Sequence, residues 1–427
     1  MATLEVHRTV DAVWRIESAR LIAGLTRMVH DVGLAEELAQ DALVAALEQW
    51  PESGVPDNPG AWLMAIAKRR AIDQFRRRET LERKVTEIGR DLETQEGPSA
   101  EPDFDAIDSN ISDDLLRLVF ISCHPVLSTE ARVALTLRLL GGLTTEEIAR
   151  AFLTPEPTIG QRIVRAKKTL AQKKVPFEVP NATELGERLA SVLEVVYLVF
   201  NEGYAATGGD DWMRPGLCED AMRLGRILAE LVPAEREAHG LVALMEIQAS
   251  RSRARLGPSG EPVLLFDQDR SRWDRLLIRR GLAALARAGA LPGEAGPYEL
   301  QAAIAACHAQ AATPEDTDWA RIAARYARLV QLVPSPVIEL NRAVAMAMAF
   351  GPEIGLEIVD ELASEPSLKN YHLLPSVRGD LLAKLDRHAE AHAEFSRAAE
   401  LTRNERERVL LRARAKESAA AGAAATP

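Results

Sequence analysis

The sequence predicts an all-α protein. Three observations carry that prediction: Ala, Leu, Arg and Glu dominate the 427 residues, aromatics make up only 5%, and apolar residues recur at helical rather than alternating spacing. At this length a single core is not expected, and the chain should divide into several domains. With 47% hydrophobic and 27% charged residues, the composition is that of a globular protein. No run approaches the ~18 apolar residues of a membrane span, and the N-terminus lacks the basic-then-apolar pattern of an export signal. A cytoplasmic location with no membrane contact is therefore expected.

The elements follow in order. Residues 7–50 read as helices, with Leu21, Leu25, Met28 and Val32 on one stripe and Leu38, Ala42, Ala45 and Ala46 on a second. Pro51, Gly54, Pro56 and Asn58 punctuate a loop over residues 51–59. A helix resumes over residues 60–83, with Trp62, Ile66, Ile72 and Phe75 as candidates for its buried side. Residues 91–112 are acidic, carry Gly97, Pro98 and Pro102, and read as a mobile linker; helices resume near Asp113. Beyond Pro180 the chain becomes rich in Ala and Leu, broken at intervals by Gly and Pro, and residues 419–427 are expected to be a disordered tail.

The formal net charge of −11 argues against nucleic acid until its distribution is read. Residues 68–84 hold eight Lys/Arg against three Asp/Glu, and residues 160–174 hold six basic residues and no acidic one. Between them, residues 91–114 hold nine acidic residues and no basic one. Two basic islands parted by an acidic strip suggest two nucleic-acid contact surfaces.

The second island carries the sharper motif. Thr144 with Glu147 three residues on is a capping box that starts a helix. Ile148, Ala149 and Phe152 supply its inward side, Leu153, Thr154 and Pro155 break it, and a second helix starts near residues 155–157, where proline is tolerated. On that helix Ile159, Ile163, Ala166 and Leu170 form an inward stripe, while Thr158, Gln161, Arg162, Arg165 and Lys168 face largely outward. A short helix, a tight turn and a basic second helix match the geometry that lays a recognition helix in the major groove. Arg and Gln read base edges there, and Lys mainly neutralises phosphate. The plainer reading is a helical hairpin with a solvated basic face.

The first island is more specific still. Ala-Glu-Glu-Leu-Ala-Gln-Asp-Ala-Leu at residues 35–43, continuing to Trp50, resembles region 2.2 of extracytoplasmic-function sigma factors, subunits that direct bacterial RNA polymerase to promoters. Asn-Pro-Gly-Ala-Trp-Leu-Met-Ala-Ile-Ala at residues 58–67, with Arg69, Arg70, Ala71, Ile72, Asp73 and Arg76 to Arg78, resembles regions 2.3 and 2.4, and the helix-turn-helix then resembles region 4. The resemblance implies core RNA polymerase and promoter DNA as partners. It implies polymerase contacts from Glu37, Leu38, Asp41, Ala42 and Ala45. It places −10 binding and melting on Asn58, Arg69, Arg70, Arg76 and Arg77, and −35 reading on Thr158, Gln161, Arg162, Arg165 and Lys168. The chemistry agrees: unpaired bases need a pocket and an apolar or aromatic platform, and their backbone needs a positive track. Trp62 is read as packing between helices, and Asp73 as orienting a neighbouring arginine. Many relatives have Asn where Arg69 stands, so their base contacts do not transfer at that position.

Typical members end near Val175, whereas this chain continues, resembling the subgroup with a tetratricopeptide-like extension. Gly379, Ala391, Phe395 and Ala398 sit at tetratricopeptide positions with Leu382 and Leu385 in the first helix. A weaker copy runs through Asn341, Ala343, Ala345, Gly355 and Val359, and a degenerate pair spans residues 319–334. The domain reading is residues 1–90 for region 2, 91–112 for the linker, 113–176 for region 4, 177–300 for a helical extension, 301–418 for the repeats and 419–427 for the tail. The extension is expected to regulate promoter engagement through an intramolecular contact or a protein partner. Asn201, Glu202, Gly203 and Tyr204 read either as a ligand or partner site or as a helix end turned by glycine, the second being preferred.

No enzyme is expected. The eight histidines are scattered, and no zinc-protease, nucleophile-elbow, Walker or dinucleotide pattern occurs. Cys123, Cys218 and Cys307 lack ligand spacing and read as reduced, partly buried thiols, so no metal or cofactor is called. The alternative function is a repeat scaffold or regulator that binds DNA without acting as a sigma subunit.

Overall fold

The computed structural model describes residues 2–88, 111–152, 154–181, 183–205, 213–258, 261–402 and 404–424. Among the described residues there are eighteen α-helices and no strand. The chain forms two compact units, residues 1–195 and residues 196–427.

Unit 1 contains α1 (Ala2–Val29), α2 (Val32–Ser53), α3 (Pro59–Ile88), α4 (Ile111–Ser122), α5 (Thr129–Leu139), α6 (Thr145–Ala151), α7 (Glu156–Gln172) and the first half of α8 (Leu185–Tyr204). The stripe of Leu21, Leu25 and Met28 is buried as expected, but it is interrupted before Val32. His30 takes a left-handed φ of 54°, and Asp31 caps α2 by accepting from the Leu34 amide at 2.9 Å. The loop expected over residues 51–59 is shorter, because α2 runs through Pro51 to Ser53. Burial of Trp50, edge-on to Trp62 at 5.4 Å between ring centroids, holds that last turn in place.

The buried stripe of α3 differs from expectation. Leu63, Ala67 and Ala71 are fully buried, while Trp62, Ile66, Ile72 and Phe75 flank them half-exposed. Small residues let α3 approach its neighbours closely, so the larger side chains splay to the sides. The acidic linker expected at residues 91–112 lies outside the described residues up to residue 110, and α4 already begins at Ile111.

Unit 2 continues with α9 (Pro215–Leu231), α10 (Arg236–Ala249), α11 (Arg275–Ala290), α12 (Pro297–Gln310), α13 (Trp319–Leu332), α14 (Pro336–Phe350), α15 (Pro352–Leu362), α16 (Leu373–Lys384), α17 (His388–Leu401) and α18 (Glu405–Ala424). In its first part α10 is the hub, packed by α9, α11 and α12. From α13 onward each helix packs on its sequence neighbours, the pattern of stacked helix pairs. The tail expected to be disordered from residue 419 is instead helical through Ala424: alanine has the highest helix propensity, and Leu411, Ala415 and Ser418 bury the inner face of α18.

Candidate nucleic-acid interface

The helix-turn-helix is built from its caps. The Thr144 amide donates to Glu147 Oε2 at 2.8 Å and the Glu147 amide to Thr144 Oγ1 at 3.1 Å, the reciprocal capping box that starts α6. The Thr154 amide closes the turn onto the Ala149 carbonyl at 3.0 Å, and Pro157 sits in the first turn of α7. Ile159, Ile163, Ala166 and Leu170 are all buried, and α7 packs on α5 and α6. That stripe fixes the rotation of α7 and leaves Thr158, Gln161, Arg165 and Lys168 exposed, with Arg162 half-buried at their edge. Val164 joins this outward face at 63% exposure. Its position off the buried stripe was the signal available in the sequence, and an apolar side chain there suits a thymine methyl.

In α3 the basic residues are dealt with differently. Arg69 and Arg76 lie on an exposed face with Asp73 between them, whereas Arg70 is half-buried and paired with Asp41 of α2 at 3.1 Å. Arg77 lies in α3, but its side chain falls outside the described residues. Asn58 caps α3, accepting from the Ala61 amide at 3.1 Å, so its carboxamide oxygen is already engaged. The loop preceding it presents Val55 to solvent.

The polymerase-facing set divides. Glu37 and Asp41 are exposed, but Leu38, Ala42 and Ala45 are 2%, 0% and 2% exposed and belong to the packing of α2. Helical spacing put all five on one helix without saying which face was inward. The outward stripe is Glu37, Asp41, Val44 and Glu48, acidic with one apolar member.

Three ionic junctions tie α1 and α2 to the helix-turn-helix side of unit 1. Arg15 meets Glu147 at 2.9 Å, and Arg27 meets Asp114 at 3.2 Å. Glu36, buried on α2, takes Arg138 of α5 at 2.6 Å and Lys167 of α7, with Gln40 donating to the same carboxylate. Burial pushes the Asp114 carboxyl above the ordinary carboxylate range, outweighing Arg27 and Arg117 beside it. Lys167, one of the six basic residues of the second island, is thus a packing residue here.

The Asn201 to Tyr204 stretch is a packed helix end. The Gly203 carbonyl accepts from the Arg214 amide at 2.7 Å, and a Cβ on Gly203 would come within 2.7 Å of the Cys218 nitrogen, so only glycine fits. Glu202 pairs with Arg214. The Tyr204 ring stacks on Phe200 and lies under the Arg255 guanidinium at 3.6 Å, while its hydroxyl accepts from Arg251 at 2.8 Å.

The sequence was compared with known proteins. The model of sigma-70 region 2 matches residues 16–80, that of sigma-70 region 4 matches residues 117–170, and a family of unknown function, DUF6596, matches residues 188–289. An uncharacterized Rhizobium meliloti protein is 43% identical over 394 residues, covering 92% of this chain and 91% of its own. The ECF RNA polymerase sigma factor SigK of Mycobacterium sp. (strain KMS) is 31% identical over 165 residues, 37% of this chain and 80% of that protein. SigI of Mycobacterium tuberculosis, named a probable ECF RNA polymerase sigma factor, is 27% identical over 176 residues, 41% of this chain and 59% of its own length. Region 2 and region 4, in that order and on these helices, place the chain in transcription initiation: it belongs to the extracytoplasmic-function RNA polymerase sigma factors of the sigma-70 family, with a DUF6596 extension behind region 4.

Proposed function

We propose that this sigma factor reads the −35 element with the Thr158, Gln161, Arg162, Arg165 and Lys168 face of α7, and opens the −10 element with the loop at residues 54–58 and the Arg69 and Arg76 face of α3. Core polymerase docks on the Glu37, Asp41 and Val44 stripe of α2. The observation that carries this reading is α7 itself: a continuous buried stripe behind an exposed face bearing Gln, Arg and Lys, held by a capped helix-turn-helix. The chain acts in the cytoplasm and is not a catalyst in its own right.

The extension regulates promoter engagement, either through the sigma helices or through a protein partner, and α13 to α18 act as tetratricopeptide-like pairs. Close approach supports that: Gly379 packs against the Phe395 ring, and Gly355 against Ala343 and Ala347. The direct test is transcription in vitro from a genomic fragment library by bacterial core polymerase with and without the full chain. Discrete protein-dependent starts sharing −35 and −10 motifs are expected, lost in the Arg162→Ala/Arg165→Ala double variant. Starts that survive that variant unchanged would remove α7 as the reader. Regulation by the extension is tested on the same promoters with chains cut after residue 195, where unit 1 ends; an unchanged output and signal response would defeat it.

A further inference from the structure

Within the segment matched by the family of unknown function, α9, α10 and α11 enclose a cleft of 440 Å³ where charged side chains of both signs meet around the apolar Ala229, Val242 and Ala283. Arg226 and Glu230 enter it from α9, His239 and Glu246 from α10, and Arg280 and Arg287 from α11. Two of these groups are built into the fold rather than laid on it. Glu246 is only 3% exposed; its Oε1 takes Arg226 at 2.7 Å, and its Oε2, equally buried, accepts no hydrogen bond from any described residue. His239 is 8% exposed; its Nε2 faces the Pro233 carbonyl at 2.9 Å and so carries the proton, leaving Nδ1 as a buried acceptor without a partner among the described residues.

The opposite wall has the opposite need. Arg280 and Arg287 are exposed, seven residues apart on one face of α11, about 10 Å along the axis. Among the described residues neither forms an ion pair. A plain anion would satisfy these arginines but leave Glu246 Oε2 and His239 Nδ1 bare, and burying an acceptor unsatisfied is costly. A plain cation would do the reverse. A ligand with a donor-rich cationic end and an anionic end answers both walls at once.

We propose that this cleft binds a small zwitterion, with an ammonium group donating to Glu246 Oε2 and His239 Nδ1 and a carboxylate held by Arg280 and Arg287: a free amino acid or a short peptide. Arg226 holds the Glu246 carboxylate in place for that role, and Glu230 adds to the acidic side.

The test is calorimetric titration of the full chain with the twenty L-amino acids and L-alanyl-L-alanine, in the absence of polymerase and DNA, so its outcome is separate from the promoter reading. At least one probe is expected to bind saturably. For that probe, blocking either terminus by N-acetylation or C-amidation should weaken binding about tenfold or more, the loss of one charge-assisted contact. Glu246→Gln and the surface double variant Arg280→Ala/Arg287→Ala should each do the same, the second at positions where the fold does not depend on the side chain. Failure of every probe overturns the proposal. So does equal binding of acetate alone, which would make the cleft a simple anion site, or binding indifferent to both variants.

Discussion

Arginine is put to opposite uses on α3 and α7 of unit 1 and at the helix junctions in the first part of unit 2. On α3 and α7 of unit 1, Arg69, Arg76 and Arg165 point to solvent over apolar stripes that fix which way they face. In the first part of unit 2, Arg236, Arg255 and Arg270 turn inward instead. Arg236 grips Glu299 through two nitrogens at 2.7 and 2.8 Å and also donates to the Leu291 and Gly293 carbonyls. Arg255 lies on the Tyr204 ring, and Arg270 donates to the His308 and Ala311 carbonyls beside Trp273. The same residue type is left exposed to solvent in one place and serves as a bolt between helices in the other. Charge density along a sequence therefore does not by itself say whether an arginine is presented to solvent or spent on packing.

Substitutions can break this contrast. The largest effect is expected from Arg236→Ala, which leaves the buried Glu299 without its partner and should cost about 3 kcal/mol. Hydrogen exchange on α10 and α12 should accelerate, with the helices of unit 1 unchanged. A next effect comes from pH. Burial, then Arg251 and Arg270, hold His308 down to about 4, below its ordinary 6.5. The unfolded chain therefore binds the proton first, so the stability contributed is complete above pH 6.5 and is lost as pH falls towards 4, by roughly 2–3 kcal/mol. Urea midpoints across that range should show the slope in the native chain and a flatter one in His308→Gln.

The surface arginines should behave in reverse. Arg165→Ala should leave thermal stability within about 0.5 kcal/mol while weakening promoter binding by about 1–3 kcal/mol and lowering its salt slope. Stability that falls in step with affinity would show that α7 is held by its outward face after all. Thr144→Ala removes one half of the capping box and should cost about 1 kcal/mol, read as faster exchange in α6. Smallest is Arg70→Ala, which breaks a half-exposed pair with Asp41 worth no more than about 0.5 kcal/mol. If it reduced promoter opening as much as Arg69→Ala, Arg70 would belong to the track rather than to the packing.

Much of this was legible in local sequence because the signals are local. The capping box at Thr144 and Glu147, the stripe at Ile159, Ile163, Ala166 and Leu170 and the breakers around Pro155 each act within a turn or two of helix, and each is found as read. The faces of α2 and α3 were harder. On α2 the Ala and Leu positions thought to face polymerase are buried, and on α3 the small Leu63, Ala67 and Ala71 displace the larger residues from the inner line. Periodicity gives the helix, but when apolar residues occupy more than one face it does not say which face is covered.

The sequence by itself determined the helical class, the order of region 2 and region 4, the caps, and the glycine at 203, since these follow from propensity, spacing and backbone sterics between near neighbours. Only the tertiary structure decided which basic residues are available. Lys167 is drawn to a buried carboxylate on α2, Arg70 to Asp41, and Arg255 and Arg270 of unit 2 to carbonyls and rings far along the chain. Pairing between charges depends on distance in space, and residues separated by up to about 130 positions, as Arg15 and Glu147 are, meet only after the helices have packed.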